Sequence, residues 1–235
     1  KTYFQAFNFD VNSFPDKLEV VQNGQKLQPG IDFLIDPASG GGKFILKPKK
    51  IDVHTALNDA ALRKEIEVIL SGNEYNSIAF DFTKLSTDTL RKLSGLTDAM
   101  AGIMPVIEVV DRKLTWSVAS NQMAFPSLQI VDSLFDFDKE ISIDISAVML
   151  KNHVARNVIG MIPAKKKCAK TIVYTAHYDH LGRMGSETYF PGANDNASGT
   201  AMLLSMAKYF KQNPSEYNIL FIAFAGEEAG LLGSK

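Results

Sequence analysis

Alternation of apolar and polar positions is cleanest at residues 141–146, where Ile141, Ile143 and Ile145 interleave with Ser142, Asp144 and Ser146. Successive strand side chains point to opposite faces, so this predicts a strand with one buried face. Earlier, LEVVQNGQKLQPGIDFLID (18–36) sets Asn23-Gly24 between two extended runs. Both residues tolerate positive φ, which predicts a hairpin. Pro29-Gly30 marks a second turn, Ser39 to Gly42 a flexible glycine loop, and SIAFDF (77–82) a further strand. Between them, residues 56–72 place Leu62, Ile66 and Ile69 on one face, predicting a helix that stops at Gly72.

From about residue 151 the pattern changes. ARNVIGMIPA (155–164) predicts a short strand ended by proline, and AKKKCAK (164–170) a turn. TIVYTAHYDH (171–180) is a strand running into a polar cluster, and residues 181–196 form a glycine-rich loop. ASGTAMLLSMAKYFKQN (197–213) predicts a helix with Ala201, Leu204, Ala207 and Phe210 inward, ended by Asn213-Pro214. YNILFIAFAGEE (217–228) is another buried strand. Strand, helix, strand within some 60 residues is a βαβ unit with parallel strands. Two domains follow, 1–150 and 151–235.

Composition changes this picture little. A chain of 235 residues, 46% hydrophobic and 22% charged, has the composition of a soluble globular protein. The net charge of −1, with basic residues only in short clusters such as KPKK (47–50), argues against a nucleic-acid partner. No apolar run reaches the roughly 18 residues of a membrane span. The single cysteine, Cys168, excludes an intrachain disulfide. Oligomeric state has no signature in the sequence.

The candidate chemistry collects at strand ends, where open α/β sheets bind ligands. The first βαβ strand ends in His177, Tyr178, Asp179 and His180, and the second runs into Glu227 and Glu228. Asp195 lies just before the intervening helix. Adjacent glutamates repel each other, and a divalent cation turns that repulsion into shared attraction. His177 and Asp179, two apart on an extended segment, share a face, and a ligating histidine commonly gives its second N–H to a carboxylate. Adjacent Glu227 and Glu228 point different ways, so one can bind metal while the other faces substrate as a base.

TAHYDHLG, GANDNASGTAMLLSMA and FIAFAGEEAGLLGS together resemble the di-zinc aminopeptidases, the twenty-eighth metallopeptidase family, with 18 residues from His177 to Asp195 and 32 from Asp195 to Glu227. The resemblance implies two zinc ions and hydrolysis of a peptide substrate at its N-terminal residue. It implies His177 as a ligand of one zinc, Asp195 as the bridging carboxylate and Glu228 as a ligand of the other zinc. Glu227 is implied as the general base, Asp179 as the partner of His177, and the Asp195–Asn196 peptide bond as cis. The implied fold is a mostly parallel mixed α/β sheet with helices on both faces. Residues 1–150 resemble the β-rich α+β protease-associated insert that many members carry. A periplasmic or secreted location is expected from the resemblance and the start at Lys1.

The family pattern carries a further aspartate and histidine beyond the Glu-Glu pair, whereas seven residues follow Glu228. The sequence is therefore expected to be an incomplete part of a longer enzyme, without full activity by itself. Two related readings compete: a glutaminyl cyclase-like enzyme with one zinc, and a non-catalytic peptidase-fold binding protein. A binding β-module with an accessory α/β tail is the third, and it makes the motif cluster a coincidence.

Overall fold

The computed structural model describes every residue except 1, 2, 73, 94, 168 and 169. Cys168, in the basic turn expected at 164–170, therefore lies outside the described residues. In chain order the elements are β1 (Phe4–Ser13), β2 (Leu18–Gln22), β3 (Gln25–Lys26), β4 (Phe33–Ile35), β5 (Gly42–Leu46) and β6 (Pro48–Ile51). Then come α1 (Val53–Ala56), α2 (Asp59–Ser71), β7 (Ser77–Asp81), α3 (Thr87–Lys92), α4 (Leu96–Ala101) and β8 (Val106–Val110). They are followed by β9 (Ser127–Val131), β10 (Ile141–Ile145), β11 (Val148–Ile162), β12 (Thr171–His177), β13 (Gly182–Met184), β14 (Thr188–Phe190), α5 (Ser198–Gln212) and β15 (Asn218–Phe224).

The chain divides into two compact units, one of residues 1–11, 150–182 and 189–235, the other of residues 12–149 and 183–188. The expected boundary at 150/151 falls one residue from the observed one, but the first eleven residues belong with the second half. The reason is strand pairing: β1 lies beside β11, with Ile159 N–H donating to the Tyr3 carbonyl and Asn152 N–H to the Asp10 carboxylate. This partner also accounts for the length of β11, which starts seven residues before the strand read from sequence.

The 12–149 unit holds two sheets. In the antiparallel one, ordered β3-β2-β10-β5, Ile141, Ile143 and Ile145 are buried as their alternation predicts. Asn23 and Gly24 both take positive φ in the β2–β3 turn. The other sheet, β4-β9-β8-β7-β6, brings more helix and parallel strand into this half than the β-rich reading, with its one helix at 56–72, expects. Strands β6 to β9 are parallel; helices α1 and α2 connect β6 to β7, α3 and α4 connect β7 to β8, and residues 111–126 link β8 to β9 without a helix. Strand β8 is buried along its whole length. Parallel strands covered on both faces lose the alternation that a sequence reading relies on. The KPKK cluster lies largely in edge strand β6, with Pro48 at the strand's first position, where a missing N–H is tolerated. The helix expected at 56–72 starts at Asp59 instead, because the Asn58 side chain accepts the N–H groups of Ala60 and Ala61. Nor is the glycine loop loose: Gly40 is buried, and a Cβ there would sit 2.7 Å from the Met123 carbonyl oxygen.

Burial pushes the Asp36 carboxyl up to about 6, and the charges of Asp98 and Glu108 add to the shift against the Ala38 N–H it accepts. The folded state thus holds this proton more tightly than the unfolded chain, whose value is about 3.8. Stability from this group is complete below pH 3.8 and is lost as pH rises to about 6, on the order of 2–3 kcal/mol. Asp36→Asn should flatten this slope in urea unfolding between pH 4 and 7 and raise stability at neutral pH. An unchanged slope would assign the pH dependence to other groups, Glu108 first, whose carboxyl burial also raises.

In the other unit the sheet order is β1-β11-β15-β12. It is mixed, as expected, but not mostly parallel among the described residues: β12 and β15 are parallel, while β11 is antiparallel to β15. Helix α5 packs on it through Leu203, Met206, Ala207 and Phe210, with Tyr174 stacked between Phe210 and Phe221. The expected inward face is displaced in the first half of the helix: Ala201 is exposed, Leu204 is 70% exposed, and Leu203 is buried in its place. Two adjacent leucines fit either phase, and the stripe 203, 206, 207, 210 is the one that faces the sheet.

Candidate metal centre

Parallel pairing sets His177 level with Phe224, so β12 and β15 end at the same edge. Tyr178 N–H extends the ladder one step to the Phe224 carbonyl. The chain then turns at Gly226, with φ of +67°, so the glutamate pair sits in a loop rather than in the strand expected to reach residue 228. A left-handed φ favours glycine there, and an added Cβ would also press on the Phe7 ring at 3.3 Å. Helix α5 connects the two strands, and its entry segment carries Asp195. Thr200 Oγ1 donates to the His177 carbonyl at 3.0 Å, which ties the first turn of α5 to the end of β12. The Asp195–Asn196 peptide bond is cis, and the Asn196 side chain accepts Gly199 N–H.

These elements bring His177, Asp195 and Glu228 together, with one ligand atom of each within 4.8 Å of the others. His177 Nε2 lies 3.0 Å from Asp195 Oδ1. Its Nδ1 lies 3.1 Å from the Asp179 backbone carbonyl, which can only accept, so Nδ1 is the donor in that contact and Nε2 is the nitrogen turned toward the carboxylates. Asp179 is used differently from the expected pairing. Its Oδ1 stands 3.9 Å from the His177 ring, while its Oδ2 accepts Glu228 N–H at 3.2 Å. The short distance along the chain from 177 to 179 lets the backbone carbonyl reach the ring first. Glu227 lies outside the three-residue cluster; its carbonyl accepts the N–H groups of Gly230 and Leu231.

Sequence reasoning passed over two contacts. His180 Nδ1 is 2.7 Å from Glu228 Oε1, and Gly192 packs so closely on His180 that a Cβ would fall 2.7 Å from its ring. The second histidine of HYDH was the available signal. The Thr200 hydroxyl carried none.

The donor set fits a divalent ion. Two carboxylates converge on an imidazole nitrogen, and Asp179 Oδ1 is buried without a hydrogen-bond partner among the described residues. Zinc takes such N and O ligands at about 2.0–2.2 Å, which leaves neighbouring ligand atoms roughly 3 Å or slightly more apart. The 3.0 Å between His177 and Asp195 is compatible with that spacing.

The model of peptidase family M28 matches residues 157–235, the stretch that holds all of these groups. The chain is similar to aminopeptidase YwaD of Bacillus subtilis, 45% identical over 97 residues, which cover 41% of this chain and 20% of that protein. A probable zinc metalloprotease of Pyricularia oryzae is 39% identical over 80 residues, covering 33% of this chain and 16% of its own. The fold is similar to that of BSAP, a zinc aminopeptidase from Bacillus subtilis, with a TM-score of 0.60 and 22% identity; the likeness covers 98% of this chain and 53% of that one. The chain therefore spans about half the length of that solved relative. No helix among the described residues is long and apolar enough to cross a membrane.

Proposed function

We propose that this chain carries the metal-binding edge of a zinc-dependent exopeptidase that hydrolyses the peptide bond after the N-terminal residue of a peptide. The observation that carries the reading is the convergence of His177, Asp195 and Glu228 at the shared end of two parallel strands. The names of the similar proteins, an aminopeptidase and a zinc metalloprotease, support it. His177 is assigned to one zinc, Glu228 to a second, and Asp195 to both. Zinc, when bound, supplies Lewis acidity toward a peptide carbonyl and makes water more acidic. Glu227 is the proton acceptor for the attacking water and then the donor to the leaving amine. Asp179 keeps Glu228 in place through its backbone N–H, and His180 holds one carboxylate oxygen of Glu228, leaving the other for metal. Residues 12–149 are read as an inserted protease-associated-like domain; the fold likeness extends over them as well.

The test is calorimetric titration of the chain with zinc, followed by aminoacyl-p-nitroanilide hydrolysis by the full-length gene product. Zinc binding with release of the N-terminal residue is expected. Cyclisation of an N-terminal glutamine peptide in place of release would favour the single-zinc cyclase, and zinc binding without either reaction a binding scaffold. No zinc binding at all would remove the reading.

A further inference from the structure

An asparagine inside an apolar strand needs a reason, and Asn157 of ARNVIGMI is 1% exposed. The antiparallel ladder between β11 and β15 runs from Ile162–Ile219 to Val158–Ala223 and stops there. One position further along β11, the side chain takes over from the backbone. Asn157 Oδ1 accepts Ala225 N–H at 3.0 Å, and its Nδ2 donates to the Gly233 carbonyl at 2.7 Å and to Gln5 Oε1 at 3.1 Å. Ala225 and Gly233 bracket the loop that carries Glu227 and Glu228. Inside the loop, Leu232 N–H donates to the Gly226 carbonyl, and Gly230 and Leu231 N–H to that of Glu227. Its mouth is closed so tightly that a Cβ on Gly233 would collide with the Ala225 carbonyl oxygen and fall 2.6 Å from Asn157 Oδ1.

We propose that Asn157 is a positioning residue for the glutamate pair, its buried amide clamping both ends of the 225–233 loop to β11. A primary amide suits the task because it offers an acceptor and two donors on a short, rigid stem, so it matches one backbone N–H and one backbone carbonyl at once. Leucine would fill the space and leave both backbone groups without partners. Aspartate would keep the Ala225 bond but turn a donor into an acceptor facing the Gly233 carbonyl. The loop holds its glutamates in register only while both ends are pinned, so the residue acts on metal and substrate through Glu227 and Glu228 without touching either. For its consequence at the metal, the inference rests on the function proposed above.

The experiment has two arms. Hydrogen exchange on the metal-free chain tests the clamp alone: the Ala225 amide should exchange as slowly as the β15 amides, and in Asn157→Asp the loop amides of Gly230, Leu231 and Leu232 should exchange at least tenfold faster with the β15 amides unchanged. An Ala225 amide that exchanges as freely as exposed loop amides, or no change in the loop in Asn157→Asp, overturns the inference whether or not zinc binds. The second arm compares zinc affinity and the visible spectrum of the cobalt-substituted protein for wild type, Asn157→Asp, Asn157→Ala and the destabilising control Leu203→Ala. The Asn157 variants should bind zinc roughly 10- to 100-fold more weakly, the range seen when a partner of a metal ligand is lost, with an altered cobalt spectrum. Leu203→Ala should lose stability and keep both. Equal behaviour of the three variants would reduce Asn157 to a packing residue. A wild type that binds no zinc fails the metal reading and leaves the exchange arm standing.

Discussion

Replacing Glu227 with glutamine should lower the release of N-terminal residues by about 100- to 10,000-fold in the full-length gene product, the range for loss of a positioned general base. Zinc content should stay at the wild-type level. Both halves of this outcome follow from where the two glutamates stand. Glu228 belongs to the cluster with His177 and Asp195, whereas Glu227 lies outside it, with a backbone that closes the loop through Gly230 and Leu231. Glutamine keeps the size and the loop bonds of residue 227 and removes only its capacity to accept a proton at neutral pH. The measurement pairs steady-state kinetics on an aminoacyl-p-nitroanilide with metal analysis of the same preparation. Lost zinc in a folded protein would make Glu227 a ligand, and wild-type turnover would move the base elsewhere.

Asp195→Ala should act on the other side of the same site. Its Oδ1 lies 3.0 Å from His177 Nε2, and the residue is assigned to both metals under the proposed function. Loss of a partner to a metal ligand typically costs 10–100-fold in affinity, so loss of a shared ligand should exceed roughly 100-fold. The metal-free protein should hardly notice the change. The Asp195 side chain is 69% exposed, and it is not part of the apolar cluster under α5. Zinc titration beside urea unfolding of the metal-free chain separates the two effects. Unchanged zinc affinity would take Asp195 out of the ligand set. A large drop in metal-free stability would show that the aspartate holds the entry to α5.

How far the chain could be read varied from element to element. Ile141, Ile143 and Ile145 declare their strand because one side of β10 is buried and the other is not. Val106 to Val110 declare nothing, since β8 is covered on both faces and its residues, Glu108 among them, are buried without alternation. The motif residues His177, Asp195 and Glu228 stood out because histidine and carboxylates at strand ends are chemically conspicuous. His180, Asn157 and Thr200 stood out less, because each acts through one partner distant in sequence: Glu228, the 225–233 loop and the His177 carbonyl. For Asp179 and His177, proximity along the chain is visible in sequence, but which oxygen of Asp179 meets the ring is not.

By itself, then, the sequence determined the local periods, the turn at Asn23-Gly24, the βαβ unit and the identity of the groups at its open edge, since all of these are set by residues near one another in the chain. Only the tertiary structure decided that residues 1–11 join the second half, which leucine of α5 faces the sheet, and how the loop bearing Glu227 and Glu228 is held. Those outcomes depend on hydrogen bonds and packing between segments far apart in sequence, such as Gln5 with Asn157 and Asn157 with Gly233. Such pairings leave no periodic trace in either partner, because each is chosen by the position of the other.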